Sequence, residues 1–502
     1  MTAHRLILGP PGCGKTTYLL NQVQEEMANG THPARIAYLS FTRKAAGEAI
    51  TRAVERWGCD RKEFPYFRTL HSLAYQELGL TKQMIMGKAQ YAAIGRALGL
   101  IFSDYMDWEE GLPVSARNGD QALYLTAMSR ATLTPLEQQY RVTGSEQLDW
   151  FQLKQFADTL EQFKIDTGMI DFPDMLDLFL RNCQPLDIDV AFIDEAQDLS
   201  RQQWRMARHA LSRAKRIYYA GDDDQAIYRW SGADVDAFLE LPGERLVLDQ
   251  SYRLPRHVHA LCTGLAKRIA RRIDKSWRPR AEDGQVSYLT TLSDLEWREG
   301  SYLWLARNRY ALGRMEGVVR QAGIPYTIGR RAAIDPEAAQ AIRTWERLRR
   351  GEAQPAAAIR GVYSFMRSGD GYRRGHKMLK GVPDNALLTL ADLRNAHGLL
   401  RDDVWHEALV GIPAEEREFY LVARRRGEKL LAAPRVHLST IHGAKGGEAD
   451  HVVLLSDMAA RTFSEFQRAP DDEHRVAYVA ASRARQTLSI LQPQTLRAYD
   501  YR

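Results

Sequence analysis

Short apolar runs recur along the chain, and each ends in small, polar or acidic residues. The first series is "RLILG" (5–9), "RIAYLSF" (35–41), "VAFIDE" (190–195) and "RIYYAGD" (216–222). The second series is "RLVLDQSY" (245–252), "YLWLARN" (302–308), "VHLSTIHG" (436–443) and "HVVLLSD" (451–458). Such runs are typical of buried parallel strands, and helical patterns lie between many of them. The pattern therefore predicts an α/β fold with two doubly wound parallel sheets and functional groups at the carboxyl ends of their strands.

Two long stretches without a strand series interrupt this pattern. Residues 76–165 and 331–430 are rich in helix formers, and we interpret both as helical insertions. The predicted first domain then comprises residues 1–75 and 166–244, and the second comprises residues 245–330 and 431–502. Because the chain ends soon after "YVAASRARQTLSILQP", no appended domain is expected.

Composition narrows the class of protein. The 502 residues are 45% hydrophobic and 26% charged, which is normal for a soluble globular protein. No run of 18 apolar residues occurs, so no membrane span is expected. The N-terminus does not resemble a signal peptide. The four scattered cysteines (Cys13, Cys59, Cys183 and Cys262) argue against a disulfide framework or a zinc site and favour a cytoplasmic protein, because the cytoplasm is reducing. The net charge is +6, with basic clusters at 266–280, 347–350, 372–380 and 423–429 that either track a phosphate backbone or are solvated helix faces.

The stretch "GPPGCGKT" (9–16) fits the pattern GxxxxGK[ST] between a strand and a helical pattern. Glycines there let backbone N–H groups wrap phosphates, the lysine reaches the terminal phosphates, and the hydroxyl holds Mg²⁺. We therefore predict that Lys15 is catalytic and that Thr16 binds metal. The predicted nucleotide-binding set is Gly9, Pro10, Pro11, Gly12, Cys13, Gly14, Lys15, Thr16 and Thr17. The alternative, an ordinary Gly-Pro turn, fits the strand–loop–helix setting less well.

Two further strand ends carry residues suited to the same chemistry. In "VAFIDEAQD" (190–198), Asp194 would hold Mg²⁺ and Glu195 would polarise the attacking water, although the two acids could also be a helix cap. Gln225 closes "RIYYAGDDDQ", a strand expected beside the one that ends in Asp194, and could touch the γ-phosphate or the water. The acids at 222–224 lack the full pattern of a calcium loop, and no role is predicted for them.

At this point the chain resembles the superfamily 1 helicases of the UvrD/Rep/PcrA group, whose motifs occur here in family order. The matching segments are "LSFTRKAAGEA" (39–49, motif Ia), "RTLHSLAY" (68–75, the next DNA-contacting motif), "DFPDML" (171–176), "GDDDQAIYRWSGAD" (221–234, motif III), "LDQSYRLP" (248–255, motif IV), "LSTIHGAKGGEADHVVLL" (438–455, motif V) and "DEHRVAYVAASRAR" (472–485, motif VI). Each motif is weak alone, whereas the ordered set is specific.

The resemblance implies roles at the nucleotide. Arg253 and Arg483 match the two arginines that reach the γ-phosphate from the second domain, a task that suits an always-charged, bidentate side chain. Tyr252 matches the tyrosine that stacks on adenine, and Glu448 matches an acid near the ribose. Without the motif context, both arginines would be interpreted as surface salt-bridge partners.

The resemblance also implies a DNA-binding set. The aromatic residues that would stack on bases or wedge between them are Phe41, Tyr228 and Trp230. The residues that match positions touching backbone or base are Thr42, Thr69, His71 and His442. The alternative is that Phe41 and Trp230 are ordinary core aromatics.

Together these features predict an ATP-dependent DNA helicase with two RecA-like domains that clamp ATP and Mg²⁺ between them. The family implies 3′→5′ movement on single-stranded DNA and action at junctions of single and double strands. Two rivals stay open. One is a translocase that displaces proteins from single strands with little unwinding, and the other is an ATP-gated DNA-binding clamp.

Three features depart from the family pattern. Only eight residues precede Gly9, so the glutamine motif that reads adenine does not fit there. Ser231 stands where close relatives often have an arginine that links DNA to the nucleotide site. The second insertion also looks shorter than usual, so partner docking or autoinhibition attributed to it is not assumed.

Overall fold

The computed structural model describes residues 2–58, 60–103, 117–145, 147–329 and 331–502. Cys59 and the centre of the first predicted insertion (104–116) lie outside the described residues. The strands are β1 Ala3–Leu8, β2 Ile36–Ser40, β3 Phe67–Thr69, β4 Val190–Asp194, β5 Arg216–Gly221, β6 Glu244–Val247, β7 Gln285–Leu289, β8 Tyr302–Ala306, β9 Tyr326–Ile328, β10 Arg331–Ala332, β11 Gln354–Pro355, β12 Leu387–Leu388, β13 Val436–Thr440, β14 Ala449–Leu455 and β15 Ala484–Leu491.

Helices connect most of these strands. They are α1 Lys15–Ala28, α2 Arg43–Trp57, α3 Leu70–Glu77, α4 Lys88–Leu98, α5 Asn118–Thr132, α6 Leu136–Thr143, α7 Trp150–Thr167, α8 Phe172–Asn182, α9 Arg201–Ala210, α10 Val235–Leu239, α11 Arg256–Ala266, α12 Leu312–Gln321, α13 Pro336–Arg349, α14 Ala356–Ser364, α15 Leu390–Ala396, α16 Trp405–Ala408, α17 Ala414–Arg425, α18 Ala460–Arg468 and α19 Pro470–Ala481. Among the described helices, none is both long and apolar enough to cross a membrane.

The first sheet is parallel throughout, with strand order β3-β2-β4-β5-β1-β6. Both of its faces are buried, because Leu6 and Leu8 pack into the core on one side while Ile7 packs into the core on the other. This two-sided burial explains why its strands are continuous apolar runs. Since β5 lies between β4 and β1, the loops after these three strands lie side by side at one edge. The predicted neighbourhood of β5 and β4 is confirmed.

The strand at 244–247 corrects one detail of the predicted organisation. The run from residue 245 was assigned to the second strand series, yet β6 pairs in parallel with β1 and belongs to the first sheet. The pairing continues beyond the strand, where the Leu248 N–H donates to the Leu8 carbonyl at 2.8 Å. Most of β6 is exposed, as expected for an edge strand that covers one side of β1.

The second sheet has strand order β10-β9-β13-β8-β14-β15-β7 and is parallel except for the antiparallel pair β10–β9. Two parallel sheets with helices on their faces confirm the predicted α/β fold class. The described parts of 76–165 contain α4 to α7, which share a core that includes Leu153, Phe156 and Leu160. Residues 331–430 contain α13 to α17 together with the short ladder β11–β12. The exact domain boundaries stay a prediction.

Candidate functional site

The loop between β1 and α1 has the backbone that its sequence predicts. Gly12 and Gly14 have φ of +70° and +80°, a left-handed conformation that favours glycine. A Cβ at Gly9 would lie 2.0 Å from Lys15 Cγ, so only glycine fits beneath this side chain. The Lys15 ammonium donates to the Gly9 carbonyl at 2.8 Å. Burial lowers the pKa of Lys15, but the carboxylates of Glu195 and its neighbours raise it above its ordinary value.

Asp194 stands at the end of β4 opposite this loop. Its Oδ2 accepts hydrogen bonds from the Thr16 hydroxyl at 3.2 Å and the Tyr38 hydroxyl at 2.7 Å, and its Oδ1 accepts from the Glu195 N–H at 2.9 Å. Burial and the adjacent Glu195 raise the pKa of Asp194 to about 6. Tyr38 reaches the carboxylate from the neighbouring strand β2, and no signal in the sequence marked it as part of the site.

Glu195 is one of the few non-glycine residues with positive φ among the described residues, at φ 54°. This uncommon conformation turns the chain sharply after β4. The Gln197 amide donates to Glu195 Oε2 at 2.6 Å, while the Gln197 Oε1 accepts from the Asp222 N–H at 3.1 Å. Burial raises the pKa of Glu195, but Lys15 and Lys445 bring it below its ordinary value. The carboxylate is therefore ionised near the end of Lys15.

Gln225 meets a guanidinium from the second half of the chain. Arg483 Nη2 donates to Gln225 Oε1 at 2.9 Å, and Arg483 is only 2% exposed. Burial and the nearby Arg253 lower the pKa of Arg483 to about 9. The reading of Arg483 as a surface salt-bridge partner is thus wrong, because its other donors engage the Val479 and Gly447 carbonyls and the Ser482 hydroxyl.

The segment 251–253 lies directly against the glycine loop. The Ser251 hydroxyl donates to the Pro11 carbonyl at 2.7 Å, and the Tyr252 N–H donates to the Gly12 carbonyl at 2.9 Å. A Cβ at Gly12 would lie 2.3 Å from Arg253 Cβ. Tyr252 itself is 72% exposed, so its ring is accessible for stacking.

The remaining members of the predicted nucleotide set have these positions. Arg253 Nη2 pairs with Glu448 Oε2 at 2.5 Å inside the cleft. The Cys13 N–H donates to the Pro10 carbonyl at 3.3 Å, and burial raises the pKa of the Cys13 thiol. Thr17 is exposed in the first turn of α1. The structure thus brings residues from both halves of the chain to one cleft.

The three acids that the sequence left without a role are deeply buried. Lys275, from the segment between α11 and β7, contacts the carboxylates of Asp222 at 2.9 Å and Asp224 at 3.0 Å, and also that of Asp223. Arg272 binds both oxygens of Asp224 at 2.8 Å. Both cations belong to the basic cluster at 266–280, so part of that cluster is neither a phosphate track nor a solvated helix face.

An aromatic cluster follows Gln225. The Tyr228 ring lies 5.4 Å from Phe41, 6.1 Å from Trp230 and 6.4 Å from His442, measured between ring centroids. Trp230 lies 6.1 Å from His442 and also packs against the core of the first insertion, where the Tyr124 hydroxyl donates to its carbonyl at 2.8 Å. The alternative interpretation of Trp230 as a core aromatic therefore holds for the side of the ring that packs against the insertion. Its other contacts are with Tyr228 and His442. Burial lowers the pKa of His442 well below its ordinary value.

The other predicted DNA-contacting residues stand at the ends of β2 and β3, which are adjacent. Thr42 and Thr69 both cap helices, since their hydroxyls accept from the N–H groups of Ala45 at 3.1 Å and Ser72 at 3.2 Å. His71 lies edge-on to Phe172 at 5.9 Å, and burial with the nearby Arg43 lowers its pKa to about 4. These side chains lie at the same edge of the sheet as Phe41, but their described contacts are not with the aromatic cluster.

Lys445 is the residue that sequence reasoning missed most clearly. Its ammonium contacts Asp198 Oδ2 at 2.5 Å and the Gln225 carbonyl at 2.7 Å, and it stands 4.8 Å from the Tyr228 ring centroid. It therefore joins the nucleotide cleft to the aromatic cluster. It stood within the quoted segment 438–455, three positions before Glu448, but its type alone gave no reason to select it.

Comparison with known proteins decides the family. The UvrD/REP helicase N-terminal domain matches residues 1–244, and the UvrD-like helicase C-terminal domain matches residues 418–494. Together these matches cover more than half of the chain. The chain belongs to the UvrD/REP helicases. This confirms the resemblance inferred from the ordered motifs.

Individual UvrD/REP relatives are distant. The ATP-dependent DNA helicase PcrA of Bacillus subtilis (strain 168) is 24% identical over 314 residues, covering 59% of this chain and 42% of that protein. A probable DNA helicase II homolog of Rickettsia conorii is 26% identical, covering 63% and 51%, and DNA helicase II of Escherichia coli (strain K12) is 24% identical, covering 58% and 42%. The chain spans about half the length of the curated relatives it matches.

Among solved structures, the complex of Arterivirus nonstructural protein 10 (helicase) with DNA covers 98% of this chain and 62% of that chain. The TM-score is 0.35 at 11% identity, which is too low to support an argument about function.

Proposed function

We propose that this protein is an ATP-dependent DNA helicase that couples ATP hydrolysis to movement along single-stranded DNA. The observation that carries the proposal is the contact between Arg483 and Gln225 beside the glycine loop. A guanidinium from one half of the chain there meets a polar side chain at a strand end of the other half. Such a cleft can sense a terminal phosphate from both sides.

The residues present fit a magnesium nucleotide. Asp194 and the Thr16 hydroxyl lie 3.2 Å apart, and Mg²⁺ commonly takes one or two carboxylates together with substrate phosphates. When bound, Mg²⁺ would neutralise charge on the phosphates. Lys15 would bind the terminal phosphates, and Tyr252 would stack on the base.

Glu195 would act as the general base in hydrolysis. Its ionised carboxylate would accept a proton from water while the water oxygen bonds to the γ-phosphorus and the bond to the β-phosphate oxygen breaks. ADP and inorganic phosphate result. Arg253 and Arg483 would stabilise the charge on the transferring group, and Gln225 would orient the water or contact the γ-phosphate.

The DNA strand would pass over the aromatic cluster. Phe41, Tyr228 and Trp230 offer ring faces to bases without sequence preference, and Thr42, Thr69, His71 and His442 would contact backbone or base. Because Gln225 and Tyr228 are three residues apart, a change at the γ-phosphate reaches the stacked base through a short backbone path. Movement from 3′ to 5′ and action at duplex junctions follow the family resemblance.

The decisive experiment measures ATP turnover with and without single-stranded DNA, beside the Lys15→Ala variant. We expect DNA to stimulate turnover and Lys15→Ala to abolish it, and turnover indifferent to DNA would refute the proposal. Unwinding of 3′-tailed, 5′-tailed and blunt duplexes then reports activity and polarity together. Preference for the 3′ tail is the expected result.

A second candidate is a translocase that displaces proteins but unwinds little. The observation in its favour is Ser231, whose hydroxyl donates to the Tyr228 carbonyl at 2.9 Å within the same turn. This side chain is too short to link DNA to the nucleotide cleft as an arginine would. Protein displacement measured beside strand displacement on the same tailed duplex separates the two activities.

A further inference from the structure

The buried acids at 222–224 form a clasp with Lys275 between the two halves of the chain. Lys275 and the side chains of Asp222 and Asp223 are fully buried, and the single ammonium contacts all three carboxylates. A buried charge is tolerated only when it is paired, so this cluster requires the lysine. Two further contacts strengthen the clasp, since the Ile273 N–H donates to Asp223 at 2.8 Å and Arg272 binds Asp224.

Among the described side-chain contacts of the three acids, the hydrogen bond to Gln225 belongs to Asp222. Its Oδ1 faces Lys275, whereas its Oδ2 accepts from the Gln225 Nε2 at 2.7 Å. Gln225 Oε1 in turn accepts from Arg483 at 2.9 Å. The amide of Gln225 is therefore held between a carboxylate and a guanidinium.

This arrangement fixes which way the amide points. A carboxylate only accepts hydrogen bonds, and a guanidinium only donates them. Gln225 can satisfy both neighbours in one orientation, with its NH₂ toward Asp222 and its oxygen toward Arg483. The flipped amide would face oxygen with oxygen and N–H with N–H, losing both bonds.

We propose that Asp222, held by Lys275, is a positioning residue that fixes the amide of Gln225 for its work on the γ-phosphate. The role rests on the proposed ATPase function and adds to it a residue outside the nucleotide contacts. The orientation of the Gln225 amide then depends on both halves of the chain, because Lys275 and Arg483 lie beyond the first sheet. The side chains of Asp223 and Asp224 belong to the clasp, and neither has a described hydrogen bond to the Gln225 amide.

A double-mutant cycle tests this role. The variants are Asp222→Asn, Asp224→Asn and Gln225→Ala, alone and as the pairs that contain Gln225→Ala. Asp222→Asn removes the acceptor-only group, so we expect kcat to fall roughly 10- to 100-fold with little change in KM, as for loss of a charge-assisted hydrogen bond. Asp224→Asn is the matched control, because it removes a partner of the same Lys275.

A positioning role and a purely structural role of Asp222 predict different results for the double variants. If Asp222 acts through Gln225, adding Asp222→Asn to Gln225→Ala costs nothing further, whereas Asp224→Asn has the same effect in both backgrounds. An equal loss from Asp222→Asn with and without Gln225 would overturn the proposal. So would identical behaviour of Asp222→Asn and Asp224→Asn.

A binding measurement separates this proposal from the proposed function. The ratio of dissociation constants for ADP and a non-hydrolysable ATP analogue reports contact with the γ-phosphate without turnover. We expect Asp222→Asn and Gln225→Ala to reduce the preference for the triphosphate equally, and Asp224→Asn to retain it. Absent turnover with this pattern intact would refute only the ATPase function, whereas an unchanged preference in Asp222→Asn would refute the positioning role.

Discussion

The hydroxyl of Tyr38 offers a sharp test of the cleft. Tyr38→Phe removes the 2.7 Å hydrogen bond to Asp194 Oδ2 and leaves the 3.2 Å bond from Thr16. The ring stays in place, because Tyr38 is fully buried and packs against Phe67 and Phe192. The perturbation is therefore confined to one donor beside one carboxylate.

The charge of the acceptor determines how much free energy of unfolding is lost with the hydroxyl. A hydrogen bond to a charged group contributes about 1.5–3 kcal/mol, and a neutral one about 0.5–1.5 kcal/mol. We expect Tyr38→Phe to lower the free energy of unfolding by about 2 kcal/mol at pH 8. Tyr219→Phe is the matched control on β5, since its hydroxyl lies 3.3 Å from the ring nitrogen Nδ1 of His4 and not from a carboxylate. That variant should lose no more than about 1 kcal/mol.

The decrease in unfolding free energy caused by Tyr38→Phe should depend on pH. Because burial and Glu195 raise the pKa of Asp194 to about 6, above its unfolded value, the native carboxyl takes up a proton as the pH falls from 7 to 5. The hydroxyl of Tyr38 stabilises the charged form, so its contribution is present above this range and declines below it. Urea unfolding curves of both variants and the unchanged protein at pH 8 and pH 5 measure the free energy of unfolding. Equal losses in the two variants, or a loss for Tyr38→Phe that does not shrink at pH 5, would refute the reasoning.

Three further variants test other contacts. Lys445→Met should destabilise the protein by about 1–3 kcal/mol, because the buried Asp198 loses its cation and keeps the Gln197 amide as a donor, whereas the exposed control Lys429→Met should change little in the same urea titration. Arg483→Lys should lower kcat by about 10³-fold while ADP affinity, measured by fluorescence titration, stays within a few-fold. Phe41→Leu should weaken single-stranded DNA binding by about 1–3 kcal/mol in anisotropy titrations. The control Phe151→Leu, at a residue that is 73% exposed on the first insertion, should leave DNA binding unchanged.

Much of the fold could be predicted because the strands near the cleft are buried on both faces. Strands β1, β2, β4 and β5 are therefore continuous apolar runs whose polar residues mark the strand ends. Edge strands lack this signal. Strand β7 is partly exposed and was not predicted, and β6 was assigned to the wrong sheet because its partner β1 lies more than 200 residues earlier.

The site could be predicted only as far as strand ends and motifs allowed. Asp194 ends strand β4, while Lys15 and Gln225 come shortly after β1 and β5, and parallel strands bring such residues to one edge. Their partners could not be found in this way. Lys445 and Asp198 are separated by 247 positions, and nothing in their local sequence indicates that they form a buried pair.

The hydrogen bonds from Ser251 and Tyr252 make the glycine loop dependent on a distant segment of the chain. The carbonyl oxygens of Pro11 and Gly12 are the negative ends of peptide dipoles, and they are engaged by Ser251 and the backbone of Tyr252. Loops that attract anions do so through exposed N–H groups, and free carbonyls nearby would oppose them. The electrostatic character of the loop is thus completed by a segment more than 200 residues away in sequence. A fragment that ends before residue 251 would therefore leave these two carbonyl oxygens exposed to solvent beside the glycine loop.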